Sequence, residues 1–307
     1  MIRKSVDVLP YNQNWPLRFK EAAEKIKLAL GSNCEAVYHV GSTSVPGLAS
    51  KNKIDICLKV KDAKAAIICL EKIDFEYRGE WNIPFKYGFR YRQEIKSNLH
   101  MFDFDHPAME SNLRFRDFLR NNEDARDEYA NLKYEILKDE TSHIKDHPLF
   151  PNYTLRKSAF IKTIIEKTGF DKIYMQFCAD QEEFSAAREF RKGCFLRQNN
   201  MEDPYVWTFD DKDHKHLVLY KGVKIVGYAH VQLWPEHRAT IRIIVIDEEH
   251  RGKDYGKEFI TLIEKWLRLR GYKSVHTESS PSALGFYKCL NYEPMPFNDP
   301  DHYEGSP

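Results

Sequence analysis

An α+β chain of two domains is what the sequence predicts, and three observations predict it. Its 307 residues exceed what one hydrophobic core usually serves. A helix-rich stretch ends at Thr168-Gly169, a pairing that closes helices because glycine takes a left-handed backbone. Beyond it the period shifts to strands alternating with helices, so the boundary falls near 169–171 and the domains are 1–169 and 170–307. Each domain is expected to pack helices on a mixed sheet.

The elements follow in order. Phe19, Ala22, Ala23, Ile26 and Leu30 recur at helical spacing, which predicts a helix over Trp15–Leu30 stopped by Gly31. Apolar runs predict strands at Ala36–Val40, Lys53–Val60 and Leu99–Asp105, with a helix near Ala63–Ile73. From Glu110 to Glu140 the pattern is helical, with Leu113, Phe115, Phe118 and Leu119 turned inward, and a further helix covers Tyr153–Lys167. In the second half, strands are expected at Ile173–Cys178, Leu217–Tyr220, Lys224–Leu233, Thr240–Ile246 and Ser274–Glu278. Helices fall near Phe184–Phe195, Gly256–Leu269 and Ser282–Cys289. No repeat or low-complexity segment interrupts them.

Composition narrows the function classes. With 47 basic and 46 acidic side chains the net charge is +1, which gives no global signal for nucleic acid or membrane partners. Six scattered cysteines without a C-x-x-C pair indicate neither a disulfide framework nor a zinc site. No apolar signal core or membrane-length run is present, so a cytoplasmic protein is expected.

Two segments carry chemistry. In the second half, a buried strand runs into Arg251-Gly252-Lys253-Asp254-Tyr255-Gly256 and then an amphipathic helix. Unpaired N–H groups and the helix dipole point at one spot there, which makes an anion site. The two glycines admit a bulky phosphate, and Arg251 and Lys253 add charge. In the first half, "YHVGSTSVPGL" breaks a strand at Gly41-Ser42, and "KIDICLKV" puts Asp55 inside an apolar run. By itself this is either a phosphate loop with a metal-binding carboxylate or a tight turn. Arg90, Arg92, His100, Arg114 and Arg116 are candidates for lining an acidic-ligand pocket, or for internal ion pairs. His143 and His147 have the i, i+4 spacing of a metal pair but no third ligand, and read as surface residues.

With "ALGFYKCLNY" one strand later, the second half resembles the GNAT-type N-acetyltransferases over roughly 172–300. The resemblance implies a mixed sheet with helices on both faces and acetyl-CoA as co-substrate. It assigns the pyrophosphate to Arg251, Gly252, Lys253, Asp254, Tyr255 and Gly256, and the pantetheine arm to a bulged strand ending at Val245-Ile246. Tyr287 falls where the family has a tyrosine near the CoA sulfur, a general acid for the departing thiolate. Glu278 and Glu236 are the candidate bases, with a water chain as the alternative. Asp254 replaces the family's middle glycine and Asn291 its later one; both residue types tolerate a left-handed backbone. The Asp254 carboxylate is expected to turn outward and cap the following helix.

The first half resembles the GrpB-like family of the polymerase-β-like nucleotidyltransferase superfamily. The likeness runs through "LHMFDFD", "LRFRDFLRNNEDARDEYANLK" and "YTLRKSAFI", roughly residues 5–168. It implies a nucleotidyltransferase-like mixed sheet in which Gly41, Ser42, Lys53 and Asp55 hold a nucleotide or phosphate. Asp55 is the first magnesium carboxylate, and Asp103 or Asp105 the third. Its partner position is Cys57, a soft ligand unsuited to magnesium. The expected function is acetyl-CoA-dependent N-acetyl transfer to a small-molecule or peptide amine, beside a catalytically degenerate nucleotidyltransferase-like domain. Mg2+ is needed only if that domain is active. The alternative is a nucleotidyltransferase or nucleotide sensor whose second half only binds CoA. The tail after Tyr292 is too short for the family's closing hairpin, so either the chain is cut short or the final strand is absent.

Overall fold

The computed structural model describes residues 2–3, 6–91, 96–145, 152–199, 202–296 and 298–300. Two compact units divide the chain, Met1–Lys172 and Ile173–Pro307.

The first unit comprises β1 (Ile2–Arg3), α1 (Trp15–Leu30), β2 (Cys34–Val40), β3 (Ile54–Val60), α2 (Ala63–Glu71), β4 (Glu76–Gly79), β5 (Tyr87–Tyr91) and β6 (Ser97–Phe102). There follow α3 (Pro107–Asn121), α4 (Glu123–Lys138), β7 (Ile144–Lys145), α5 (Asn152–Leu155) and α6 (Ser158–Lys167). Five strands form one sheet in the order β2-β3-β6-β5-β4, with only the β3–β6 pair parallel. β1 and β7 form a separate antiparallel pair.

Alternation along β3 sorts its side chains. Ile54, Ile56, Leu58 and Val60 enter a core with Leu99 and Met101 against Trp15 and Ile26 of α1 and Ala66 and Leu70 of α2. The opposite face carries Asp55, Cys57 and Lys59, registered against Asn98, His100 and Phe102 of β6. There Cys57 and Phe102 pack with Ala108 and Met109 of α3.

Two expected helices are each broken in two. Asn122 is extended (φ −134°), and its side-chain amide donates to Phe118 O, closing α3, while Glu123 and Asp124 open α4 at its positive end. The run from Tyr153 divides between α5 and α6 at residues 156–157. β4 and β5 do not stand out in the sequence, because a four-residue half-exposed strand and a glycine-containing one offer little alternation.

The second unit comprises β8 (Ile173–Phe177), α7 (Gln181–Asn199), β9 (His214–Lys221), β10 (Lys224–Trp234), β11 (Arg238–Ile246), α8 (Tyr255–Leu269), β12 (Ser274–His276) and α9 (Leu284–Lys288). Its sheet order is β12-β11-β10-β9-β8. β12 is parallel to β11 and the other pairs are antiparallel. α7 covers Tyr228 and Ile243 on one face. α8 buries Phe259, Ile260, Ile263, Trp266 and Leu267, and Trp266 meets Phe177 of β8 edge-on.

Two irregularities shape β11. Ile241 and Ile243 oppose the adjacent Val231 and His230, so Arg242 is an extra, bulged residue. β12 pairs only with Arg238, Ala239 and Thr240; past that point the two strands part. Among the described residues no strand follows β12.

Candidate functional site

Beside the C-terminal end of β11 lies a cleft of about 1200 Å³. Ile244, Val245 and Ile246 form one wall, and Arg251, Gly252, Asp254, Tyr255 and Gly256 close one end. Glu189, Phe190 and Cys194 of α7 and Phe286 of α9 also line it. Lys253 is exposed and does not line the cleft; its ammonium donates to Glu249 O (2.9 Å).

Backbone shape sets this end of the cleft. Gly252 and Asp254 both take positive φ (71° and 60°), which turns successive amides the same way. Among the described residues, the N–H groups from Gly252 to Lys257 find no backbone acceptor; the first helical bond is Glu258 N to Asp254 O, 3.0 Å. Asp254 occupies the N-cap position in the left-handed region. Its exposed carboxylate makes no capping hydrogen bond, so the expected cap is corrected: aspartate is here for its backbone conformation. Asn291 is left-handed too (φ 63°).

Tyr287 is buried on α9 next to Phe286, outside the cleft lining. Thr277 Oγ1 donates to Ile241 O (3.1 Å) and lies 3.5 Å from the Tyr287 hydroxyl, at the point where β11 and β12 separate. Burial raises the phenol's pKa, partly offset by the Thr277 bond, so the hydroxyl is protonated at neutral pH. Glu278 follows Thr277, is exposed, and does not line the cleft. Glu236 sits in the β10–β11 hairpin, at the far end of β11.

Under α7 the sheet presents polar groups that the sequence reading missed. Arg191 is wholly buried, gripped by Asp203 (2.5 and 2.8 Å) and 3.2 Å from His230 Nδ1. His230 Nε2 meets His214 Nδ1 at 2.7 Å, and His216 Nδ1 meets the Tyr228 hydroxyl at 2.7 Å. Burial holds His216 down to about 3, so that ring is neutral. The bulge turns Arg242 to the same face, where it donates to Gln232 Oε1 and pairs with Asp299. The period-two pattern of β9 and β10 would have put His214, His216, Tyr228, His230 and Gln232 on one face.

In the first unit, Gly41 (φ 69°) opens a one-turn 3-10 helix, Ser42–Ser44. A Cβ on Gly41 would lie 2.6 Å from Asp55 Oδ2, so only glycine fits. Asn98 Nδ2 donates to Asp55 Oδ1 (2.7 Å). Burial raises the Asp55 pKa, with Lys53, Lys157 and Lys51 opposing it. Lys133, missed by the sequence reading, is buried and donates to Ser42 Oγ (2.9 Å) and Ala49 O (2.6 Å). Burial lowers it to about 6, and Lys157 to about 8. The ammonium groups of Lys51 and Lys157 both lie over the Tyr153 ring. Three lysines thus act on one carboxylate, and a fourth, Lys133, holds the turn beside it.

The third carboxylate does not arrive. Asp103 lies beyond the end of β6, roughly 16 Å along the strand from Asn98 at about 3.3 Å per residue. Asp105 is exposed and paired with Lys59. Cys57 is buried and its thiol pushed up to about 12, chiefly by burial, so it is neutral. One carboxylate, a neutral thiol and a ring of ammonium groups do not fit Mg2+. Arg90 and His100 share the Asp55 face, and burial lowers His100 to about 3. Arg114 binds Glu110 and Thr168 O, and Arg116 binds Asp117 and His39 O, as structural ties. His143 accepts from Val6 N (3.2 Å). Arg92 and His147 lie outside the described residues.

Known proteins match each half. Residues 5–167 match the family model "GrpB protein", and residues 184–292 that of the "Acetyltransferase (GNAT) family". A UPF0157 protein of Halalkalibacterium halodurans is 33% identical over 168 residues, covering 54% of this chain and 83% of that protein. The crystal structure of the conserved protein GrpB from Enterococcus faecalis is 30% identical (TM-score 0.46), covering 53% of this chain and 96% of that one. An aminoglycoside acetyltransferase from an uncultured soil metagenomic sample, in complex with trehalose, is 16% identical (TM-score 0.36), covering 43% and 95%. The family match extends over more than half of the residues: the chain belongs to the GrpB protein family and carries a second, GNAT-family acetyltransferase domain.

Proposed function

We propose that the second domain transfers an acetyl group from acetyl-CoA to an amine, and that the first is an accessory domain without nucleotidyl transfer. One observation carries the reading: the run of N–H groups from Gly252 to Lys257 without a backbone acceptor among the described residues, opening on a cleft walled by Ile244–Ile246. Backbone donors at a helix N-terminus suit a pyrophosphate, and the parted edge of β11 suits a pantetheine amide. Arg251 lines the same cleft and supplies the side-chain charge.

The chemistry is a transfer between two nucleophiles. The neutral amine attacks the thioester carbonyl, forming C–N as the carbonyl π pair moves to oxygen. The C–S bond then breaks, and the thiolate takes a proton from the Tyr287 hydroxyl, protonated at neutral pH. The amine's surplus proton leaves to water: Glu236 sits in the hairpin at the far end of β11, and the Glu278 side chain is exposed. In the first domain, the poor fit to Mg2+ and the neutral Cys57 support loss of phosphoryl chemistry.

Calorimetry with acetyl-CoA on the full chain tests the reading. Binding is expected, weakened about tenfold or more by Arg251→Glu, a loss of about 1.4 kcal/mol. No heat at millimolar ligand overturns it. Pyrophosphate release from ATP and Mg2+, abolished by Asp55→Asn, would overturn the accessory role.

A further inference from the structure

A buried cation in the first unit lacks a counter-charge. Residues 80–86 connect β4 to β5 and end on Lys86, which is only 4% exposed. Among the described residues its ammonium makes no hydrogen bond and no ion pair; it lies over the Trp81 ring, 4.7 Å from the centroid. Burial lowers its pKa to about 8, with Cys57 and Glu80 opposing the fall, so it is charged at neutral pH. An ammonium held out of water without a hydrogen-bonded anion is strongly unfavourable, and a cation–π contact offsets only part of that.

The loop is strained where it holds this lysine. Trp81 and Phe85 both take positive φ (58° and 65°), a conformation bulky side chains rarely adopt. Phe85 N donates to Glu80 Oε1 (3.0 Å), and His106 Nε2 donates to Pro84 O (3.1 Å). The surrounding fold thus fixes the loop against its own preference, as happens where a side chain has to be presented.

Lys86 is presented to the sheet. Cys57 of β3, His100 of β6 and Gly88 of β5 form one row across it, and the Lys86 charge acts on both Cys57 and His100. Neither can answer that charge. Cys57 is a neutral thiol, and His100 is a neutral ring whose Nδ1 is buried without a hydrogen bond. The other charges of this face are engaged. Asp55, in the next row, is bound to Asn98 and acted on by Lys53, Lys157 and Lys51; Arg116 is tied to Asp117, and Arg90 has partners of its own. Trp81, Arg90, Asn98 and His100 are half-buried rather than sealed, so a small solute can reach the face.

We propose that Lys86 holds the carboxylate of a small monoanionic metabolite without a metal ion, which makes the accessory domain a carboxylate-binding module. One unanswered positive charge fits one negative charge. A carboxylate leaves the pair neutral, whereas a dianion would bury a surplus charge near Asp55. The Trp81 ring beside the ammonium gives the ligand's carbon skeleton an apolar wall.

Calorimetry on the full chain, at neutral pH and fixed ionic strength, compares acetate with its uncharged isostere acetamide, with chloride and with the dianion sulfate. Acetate is expected to bind once per chain, and the other three at least tenfold more weakly. Lys86→Met keeps the length and removes the charge. It is expected to weaken acetate tenfold or more, and to unfold in urea no more readily than the parent, because an unanswered buried charge is gone. Should that variant fail to fold, Lys86→Gln carries the same comparison. A lysine with only a structural role gives the opposite pair of results: no acetate binding by the parent, and a variant that unfolds more easily. Acetate binding retained without the Lys86 charge overturns the site. An equal or stronger response to acetamide, chloride or sulfate overturns the carboxylate.

Discussion

Gly41 and Gly252 each take positive φ in a loop that follows a strand, and in sequence each suggests part of an anion site. Their surroundings are opposite. After Gly41, Ser44 N donates to Gly41 O, Val45 N to Ser42 O, and the Ser44 hydroxyl to Gly41 O again. That turn satisfies part of itself, leaving Ser42 N and Thr43 N without a backbone acceptor among the described residues, and the space beside its glycine is filled by Asp55. At Gly252 the position a Cβ would take has nothing within 4 Å among the described residues, and the following amides stay unpartnered. In the first domain positive charge comes from the side chains of Lys51, Lys53 and Lys157; in the second it comes from backbone dipoles together with Arg251. A glycine turn in sequence cannot distinguish the two, because the difference lies in what folding brings against the glycine.

The largest effect expected from this contrast is electrostatic. Lys133 titrates at about 6 in the folded protein and about 10.4 when unfolded, so between those values the unfolded chain binds the extra proton. Stability should therefore rise with pH from about 6 to about 10, by several kcal/mol, and level off outside that window. Urea unfolding at several pH values reads the slope, and Lys133→Met should flatten it. An equal slope in the variant would place the titration elsewhere.

Next come the glycines themselves. Gly41→Ala forces a methyl onto the Asp55 carboxylate with a strained backbone, and should cost roughly 2–4 kcal/mol. Gly252→Ala meets open space and should cost only about 1 kcal/mol of backbone strain. Comparable losses in the two melting curves would erase the distinction.

A kinetic effect of similar size separates Tyr287 from an ordinary core aromatic. Tyr287→Phe should lower kcat about 100-fold with acetyl-CoA affinity nearly unchanged, because the proton is transferred only as sulfur departs. An unchanged kcat on any accepted amine returns the residue to the core.

The smallest effect belongs to Asp254. Removing its charge beside the free amides should tighten acetyl-CoA a few-fold, and glycine relieves about 1 kcal/mol of left-handed strain, so Asp254→Gly should melt no lower than the parent. A lower melting point would restore the capping role.

Much of this was legible in the sequence. Helical spacing gave α1 and α8, and the apolar run of β3 gave its strand, because a single buried face repeats with a fixed period. The cleft residues Val245, Ile246, Arg251, Gly252, Asp254, Tyr255 and Gly256 were legible for the same local reason: strand, loop and helix N-terminus are contiguous. What stayed hidden depends on distant partners. Lys133 reaches the Asp55 turn from α4 and Lys157 from the break between α5 and α6, both far along the chain, and Arg242 meets Asp299 only through folding. The split at Asn122 was hidden because a helix interior and a paired cap use the same residue types.

The separation of β11 from β12 also bears on how the protein behaves in storage. Past Thr240 the edge of β11 has no neighbouring strand among the described residues, and an uncovered edge is a template on which other chains can add. Two side chains guard parts of it, Thr277 at Ile241 O and Arg251 Nε at Ile246 O (3.1 Å). The stretch between them depends on whatever fills the gap. A ligand lying along that edge would then serve as a solubilising partner, and preparations kept without one would be the first to cloud.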